Sequence, residues 1–238
     1  MNVTKPITLL QHEAEIPAGS ILDTLDALGV YYEVRRLYAG DPVPHWPEDT
    51  AGVIALGGRI EAKETNAHPW LHDEINLLRR IVQEGGPVWG IGLGAELLTL
   101  ASGGEVYQRR LPELGWVTID KIVDDPLLHG VSSPFVAFCW NTHSCKPSST
   151  SHMTAEHEGE MQSFRAGGRA WATQFHPELT AELAVAWIDS GVKRHRDLEP
   201  AFVEKLRQET AERLVHYPEF CRTLTVNFLA ASGLLPQV

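Results

Sequence analysis

The chain has 238 residues, 43% of them hydrophobic, enough for one large α/β domain with a buried core or for two small domains. Its formal charge of -11, with no run of like charge long enough to form a tail, disfavours nucleic acid and anionic membrane as partners. No apolar stretch approaches the roughly 18 residues that cross a bilayer, and the start lacks the basic-then-apolar layout of a secretory signal, so a soluble cytoplasmic protein is expected.

The predicted elements begin with "ITLLQH" (7–12), a β-rich run, followed by a helix-period segment "GSILDTLDALG" (19–29). Next come two further β-like runs, "YYEVRRLY" (31–38) and "AGVIALGG" (51–58). A helix is predicted over "PWLHDEINLLRRIVQEG" (69–85), with Pro69 in its first turn and Gly85 at its stop. "PVWGIG" supplies another buried strand and "AELLTLASGG" another helix ending in glycines. This alternation predicts βαβ units, and with them a mostly parallel central sheet covered by helices on both faces.

From Glu105 to Phe175 the pattern changes to short runs, "EVYQRR", "WVTIDKIV", "FVAFCWN", "MQSFRAG" and "RAWATQF". Pro, Gly and Ser clusters separate them, which predicts a small antiparallel insertion, with "PSSTSH" (147–152) as the most loop-like stretch. Helical patterns resume at 180–191, 201–217 and 220–235. The expected division is a main domain over 1–192 and a C-terminal helical extension over 193–238 packed on it. Phe202, Leu206, Leu214, Phe220, Leu224 and Phe228 recur there at helical spacing, fitting either a helix pair on its own domain or a homodimer or partner surface.

Four separated pieces form a set: "IALGG" (54–58), "GIGLGAELL" (90–98), "ELGW" (113–116) and "QFHPE" (174–178). In this order they resemble class I glutamine amidotransferases, and more closely the stand-alone, GMP-synthase-like members, over roughly residues 7 to 190. The resemblance implies a flavodoxin-like three-layer α/β/α fold with the site at the C-terminal ends of the parallel strands. It also implies an elbow cysteine that attacks the side-chain amide of glutamine, a histidine acid and base, and a glutamate that orients the histidine. By motif the histidine is His176 and the glutamate Glu178. Oxyanion donors would be backbone N–H groups near Gly58 and at Leu93. No cofactor and no metal is implied, and the expected ligand is a small molecule of amino-acid type.

The cysteine of the family pattern G-x-C-x-G-x-Q falls on Gly92, and its glutamine on Glu96. Asn141, in "WNTH" (140–143), stands where these relatives usually carry the histidine of a Trp-His pair. Glycine adopts the strained conformation of an elbow with little steric penalty, and losing the side chain is expected to open space for a water. Glu96 reads equally as a group recognising a cation or amide and as an acidic residue favoured by the helix dipole. Cys139, Cys145 and Cys221 read as free thiols. A relocated nucleophile, or zinc held by Cys139 and Cys145 with His143, His152 and His157, has poor spacing, and His68 with His72 lacks a third ligand.

Three functions remain open at this point. One is a protein unable to hydrolyse glutamine by a thioester route, which keeps a small-molecule pocket or a partner-binding role. Another is a repurposed enzyme using His176 and Glu178 in acid–base chemistry on a different substrate. The last is an inactivated variant of an ordinary glutamine amidotransferase or γ-glutamyl hydrolase, in which Gly92 is not the natural residue.

Overall fold

Adjacent residues of the early strands point to opposite faces, and both faces are apolar. Leu9, Ile54, Trp89 and Trp171 belong to one buried cluster, while Leu10, Val53, Val88 and Ala170 belong to another. In the computed structural model, which describes residues 5–194 and 198–235, this pattern produces a sheet covered by helices on each side. The parallel half consists of β1 (Ile7–Gln11), β2 (Tyr32–Arg36), β3 (Gly52–Ala55), β4 (Val88–Ile91) and β9 (Ala170–Thr173). Helices α2 (Trp70–Gln83) and α3 (Leu93–Ala101) cover one face, and α1 (Ser20–Ala27) with α6 (Tyr217–Ser232) covers the other.

The sheet has nine strands in the order β2-β1-β3-β4-β9-β8-β7-β5-β6 and is mixed, which corrects the expectation of a mostly parallel one. The antiparallel part, expected to be small, comprises β5 (Glu105–Lys121), β6 (Phe135–Lys146), β7 (Ser151–His157) and β8 (Glu160–Ala166). It extends the same sheet because β8 pairs antiparallel with β9, continuing the ladder beyond the parallel strands. The runs "EVYQRR" and "WVTIDKIV" are one strand, interrupted only by a bulge between Gln108 and Glu113 that contains Pro112. Proline cannot donate to a ladder, so a bulge is where a strand tolerates it. The loop expected over 147–152 ends earlier, because Ser151 already pairs with Ala166.

Helix α4 (Ala181–Arg194) runs across the expected boundary at 192/193, and α5 (Pro200–Arg213) and α6 follow. The apolar face of α6 is used within the chain. Phe228 is fully buried, with its ring centroid 5.8 Å from that of Trp89 and 6.0 Å from that of Trp171. Burying such a side chain contributes roughly 1.5–3 kcal/mol. Both indoles also satisfy their N–H groups, Trp89 donating to Thr173 Oγ1 at 3.2 Å and Trp171 to Asp125 Oδ1 at 2.8 Å. Leu206 of α5 is likewise buried, against Phe138 and Trp187, whereas Phe202 remains exposed.

Candidate functional site

Strand β4 delivers the chain into Gly92 and then directly into α3, a sharp strand-to-helix turn. Gly92 has φ 55° and ψ -111°, a combination that residues with a Cβ rarely adopt. Its N–H donates to Thr173 C=O at 2.9 Å, and the Gly94 N–H donates to Leu56 C=O at 3.0 Å. The turn is thereby tied to the ends of β9 and β3. The expected water space is not found at the side-chain position. A Cβ at residue 92 would lie 2.7 Å from His176 Cε1 and 3.2 Å from its Nε2, so the imidazole already stands there. Gly92→Ala is expected to lower stability by about 1–3 kcal/mol through the forced backbone conformation and displacement of that ring. Chemical denaturation of the two proteins measures it.

His176 and Glu178 follow β9, and the side chains meet, with Nδ1 of His176 2.8 Å from Oε1 of Glu178. Because a carboxylate accepts, Nδ1 carries the proton and Nε2 is left for the Gly92 side. Glu178 is fully buried and the imidazole nearly so. Trp187 of α4 packs edge-on against the ring, 4.9 Å between centroids, and donates from Nε1 to Glu15 C=O at 3.2 Å. The histidine backbone is held too. Its N–H donates to Phe138 C=O at 2.8 Å, and the Tyr217 hydroxyl donates to its C=O at 3.0 Å while accepting from Phe138 N–H at 3.1 Å. The first residue of α6 therefore fixes the histidine, a role that nothing in the local sequence around Tyr217 signals.

These groups open onto one cavity of ≈ 140 Å³, more than a lone water requires. Gly58, Gly92, Leu93, Glu96, Asn141 and His176 all line it, so the residues singled out from the sequence converge from four separate segments. Only the fully enclosed Glu178 stands behind His176. Asn141 is oriented by Glu113, whose Oε2 accepts from its Nδ2 at 3.3 Å and from Gln162 Nε2 at 2.8 Å. Neither the Gly58 nor the Leu93 N–H is engaged by another backbone carbonyl among the described residues. Glu96 is buried, and desolvation pushes its carboxyl up to about 8, opposed by a hydrogen bond from the Ala62 backbone.

Several residues that shape the cavity were not anticipated. Arg59 lines it and clamps the loop after β3, its guanidinium reaching Glu13 at 2.6 Å, Glu15 at 2.9 Å and Ser190 Oγ at 3.0 Å. Beneath that loop His12 and Glu74 form a fully buried pair, Nε2 to Oε2 2.9 Å, with His12 Nδ1 3.1 Å from the Gly57 carbonyl oxygen. The sequence did carry a signal here. Glu74 sits three residues from Leu71 and from Leu77, on the buried stripe of α2, where an unpaired charge is not tolerated.

The three cysteines are buried free thiols, and burial pushes the pKa of each upward. Among the described residues no group of three or more His, Cys, Asp or Glu is placed to hold a metal ion. Likewise no described helix is long and apolar enough to cross a membrane.

Comparison with known proteins bears on this geometry. The family model "Glutamine amidotransferase class-I" matches residues 18–189. The chain is 28% identical over 200 residues to a GMP synthase [glutamine-hydrolyzing] of Aeropyrum pernix, covering 79% of this chain but 37% of that relative. It is 28% identical over 180 residues to the glutamine amidotransferase-like protein YfeJ of Salmonella typhimurium, covering 72% and 74% of the two chains. The crystal structure of a glutamine amidotransferase from Methylobacillus flagellatus shares the fold with a TM-score of 0.87 at 22% identity, covering 99% of this chain and 97% of that one.

Proposed function

The chain belongs to the class I glutamine amidotransferase family, and on that premise we propose that it is a member unable to form a glutamyl thioester, retaining the pocket as a small-molecule site. The observation that carries this reading is the elbow itself. A thioester route needs a nucleophile at the turn facing the histidine, and residue 92 offers only hydrogen, with the His176 ring within van der Waals distance of where a side chain would begin. No described thiol replaces it, since Cys139, Cys145 and Cys221 are buried and held in the protonated form by desolvation.

Other groups lining the cavity support the reading. Gly58 and Leu93 would offer backbone N–H groups to a ligand oxygen, the latter at the N-terminus of α3, where negative charge is favoured. His176, oriented by Glu178, would present Nε2 to the same ligand. Glu96 and Asn141 would read its polar groups. The retained His176–Glu178 pair also fits acid–base chemistry on another substrate without a covalent intermediate. A protein partner is part of the proposal as well, because the chain matches little more than a third of the Aeropyrum pernix relative.

Intact-mass analysis after incubation with an electrophilic ketone analogue of glutamine tests the reading. The parent chain is expected to gain no adduct. A stoichiometric adduct on the parent, lost on peptide mapping of a His176→Ala variant, would show a nucleophile the geometry does not provide.

A further inference from the structure

Glu96 combines two properties that a structural glutamate avoids. The residue is nine-tenths buried, and its Oε2 has no hydrogen-bond partner, yet the side chain lines the cavity. An unsatisfied buried carboxyl oxygen costs stability, and the cost is removed only when something enters to donate to it.

The surroundings of Glu96 limit what that donor can be. No arginine, lysine or histidine forms an ion pair with it among the described residues. The Arg59 guanidinium is occupied by Glu13, Glu15 and Ser190, and Lys63 donates its Nζ to Val106 C=O at 2.9 Å. Arg194 lies at the exposed rim, where solvent screens it. Glu61 adds a second acidic group to the lining, and Trp140 and Trp187 contribute indoles to the same wall. A buried carboxyl in a cavity also lined by aromatic rings is the chemistry that receives an ammonium group.

Resting on the reading of the pocket as a retained small-molecule site, we propose that its ligand is an organic cation, a small alkyl- or arylammonium. Its N–H donors meet Glu96 Oε2, and its carbon body lies against Trp140 and Trp187. A neutral amide pairs with the protonated carboxyl by ordinary hydrogen bonds, whereas an ammonium pairs with the ionised form through a stronger, charge-assisted one.

Proton linkage follows from the same contact. The titratable groups around Glu96 are Glu61 and Lys63 from the connection after β3, His143 and Cys145 from β6, and His176 after β9. With the empty carboxyl titrating near 8, an ammonium binds the ionised form and expels a proton. Affinity therefore rises with pH up to about 8 and declines only when the amine itself loses its proton near 10.

The test is calorimetric titration of the full chain with butylamine and phenethylamine, beside butanol, phenethyl alcohol and butyramide. Indole NH resonances of Trp140 and Trp187 report occupancy. The amines are expected to bind about 10–100-fold more tightly than their neutral isosteres. Glu96→Gln should erase that preference, and paired buffers of different ionisation enthalpy should show proton release on the parent at pH 7. Equal affinity for amines and neutral isosteres overturns the cation assignment on the parent chain alone, whatever the variant does, and amine binding with no proton release overturns the proton linkage. Binding by butyramide and not by the amines would overturn the ligand class and leave the pocket reading standing. No response of either indole to any compound would overturn both.

Discussion

Glu74→Ala is expected to reduce the free energy of unfolding by about 3–5 kcal/mol, because it strands the fully buried His12 imidazole without its counter-charge. The Gly57 carbonyl and the Glu74 carboxylate both accept, so both ring nitrogens of His12 donate and the ring is cationic. Burial alone would lower the His12 pKa, but Glu74 and the Gly57 carbonyl outweigh it and the net direction is upward. The sign of the pH effect follows. A raised folded-state pKa contributes stability that is fully present below the unfolded value of 6.5 and is lost as pH rises through the folded value. The stability difference between parent and Glu74→Gln should therefore shrink at alkaline pH. Urea denaturation across that range measures it. A loss under about 1 kcal/mol for Glu74→Ala would mean that the pair is solvated, contrary to its full burial. The same pair holds the Gly57 carbonyl, so the loop that presents Gly58 to the cavity should loosen with it.

The second large effect is expected at Gly94. A Cβ there would lie 2.1 Å from the Ala55 carbonyl oxygen and 2.6 Å from its carbon, so the obstacle is the backbone of β3 and not a movable side chain. Helix α3 begins in contact with the strand because residue 94 has no side chain, and its N–H is bonded to Leu56 across the same gap. Gly94→Ala should cost roughly 3 kcal/mol or more, or prevent folding. The contrast with Gly92→Ala is informative. There the neighbour is a side chain and not backbone, so the loss should be smaller. Equal losses at the two positions would contradict the close helix–strand approach.

The inner strands of the parallel half were legible in the sequence because each is buried on both faces. β1, β3 and β4 are uniformly buried over their lengths, which is what an uninterrupted apolar run records. Strand β7 escaped notice for the opposite reason. Its run "SHMTAEH" mixes His152, Thr154 and Glu156 with few apolar residues, and its pairing with β8 shifts register twice. Likewise the bulge around Pro112 divides β5 in the sequence but not in space.

The candidate site was legible wherever backbone motifs define it. Gly58, Gly92, Leu93, Glu96, Asn141 and His176, singled out through the motifs of the resemblance, line one cavity. What could not be read was the support: the Tyr217 hydroxyl from α6, the Arg59 clamp and the His176 ring standing where a side chain at residue 92 would begin. Each depends on contacts between segments far apart in the chain, and such contacts leave no local pattern. The C-terminal helices illustrate this best, since they read as an addition, yet α6 supplies both core packing and a hydrogen bond to the histidine backbone.

The central claim is that residue 92 supports no thioester chemistry. Ammonia release from glutamine by the purified parent chain, measured beside Gly92→Cys and His176→Ala, tests it most directly. The account predicts release no greater than the protein-free blank for the parent. Release by Gly92→Cys would place the deficit in that one side chain. Glutamine turnover by the parent that disappears in His176→Ala would contradict the account.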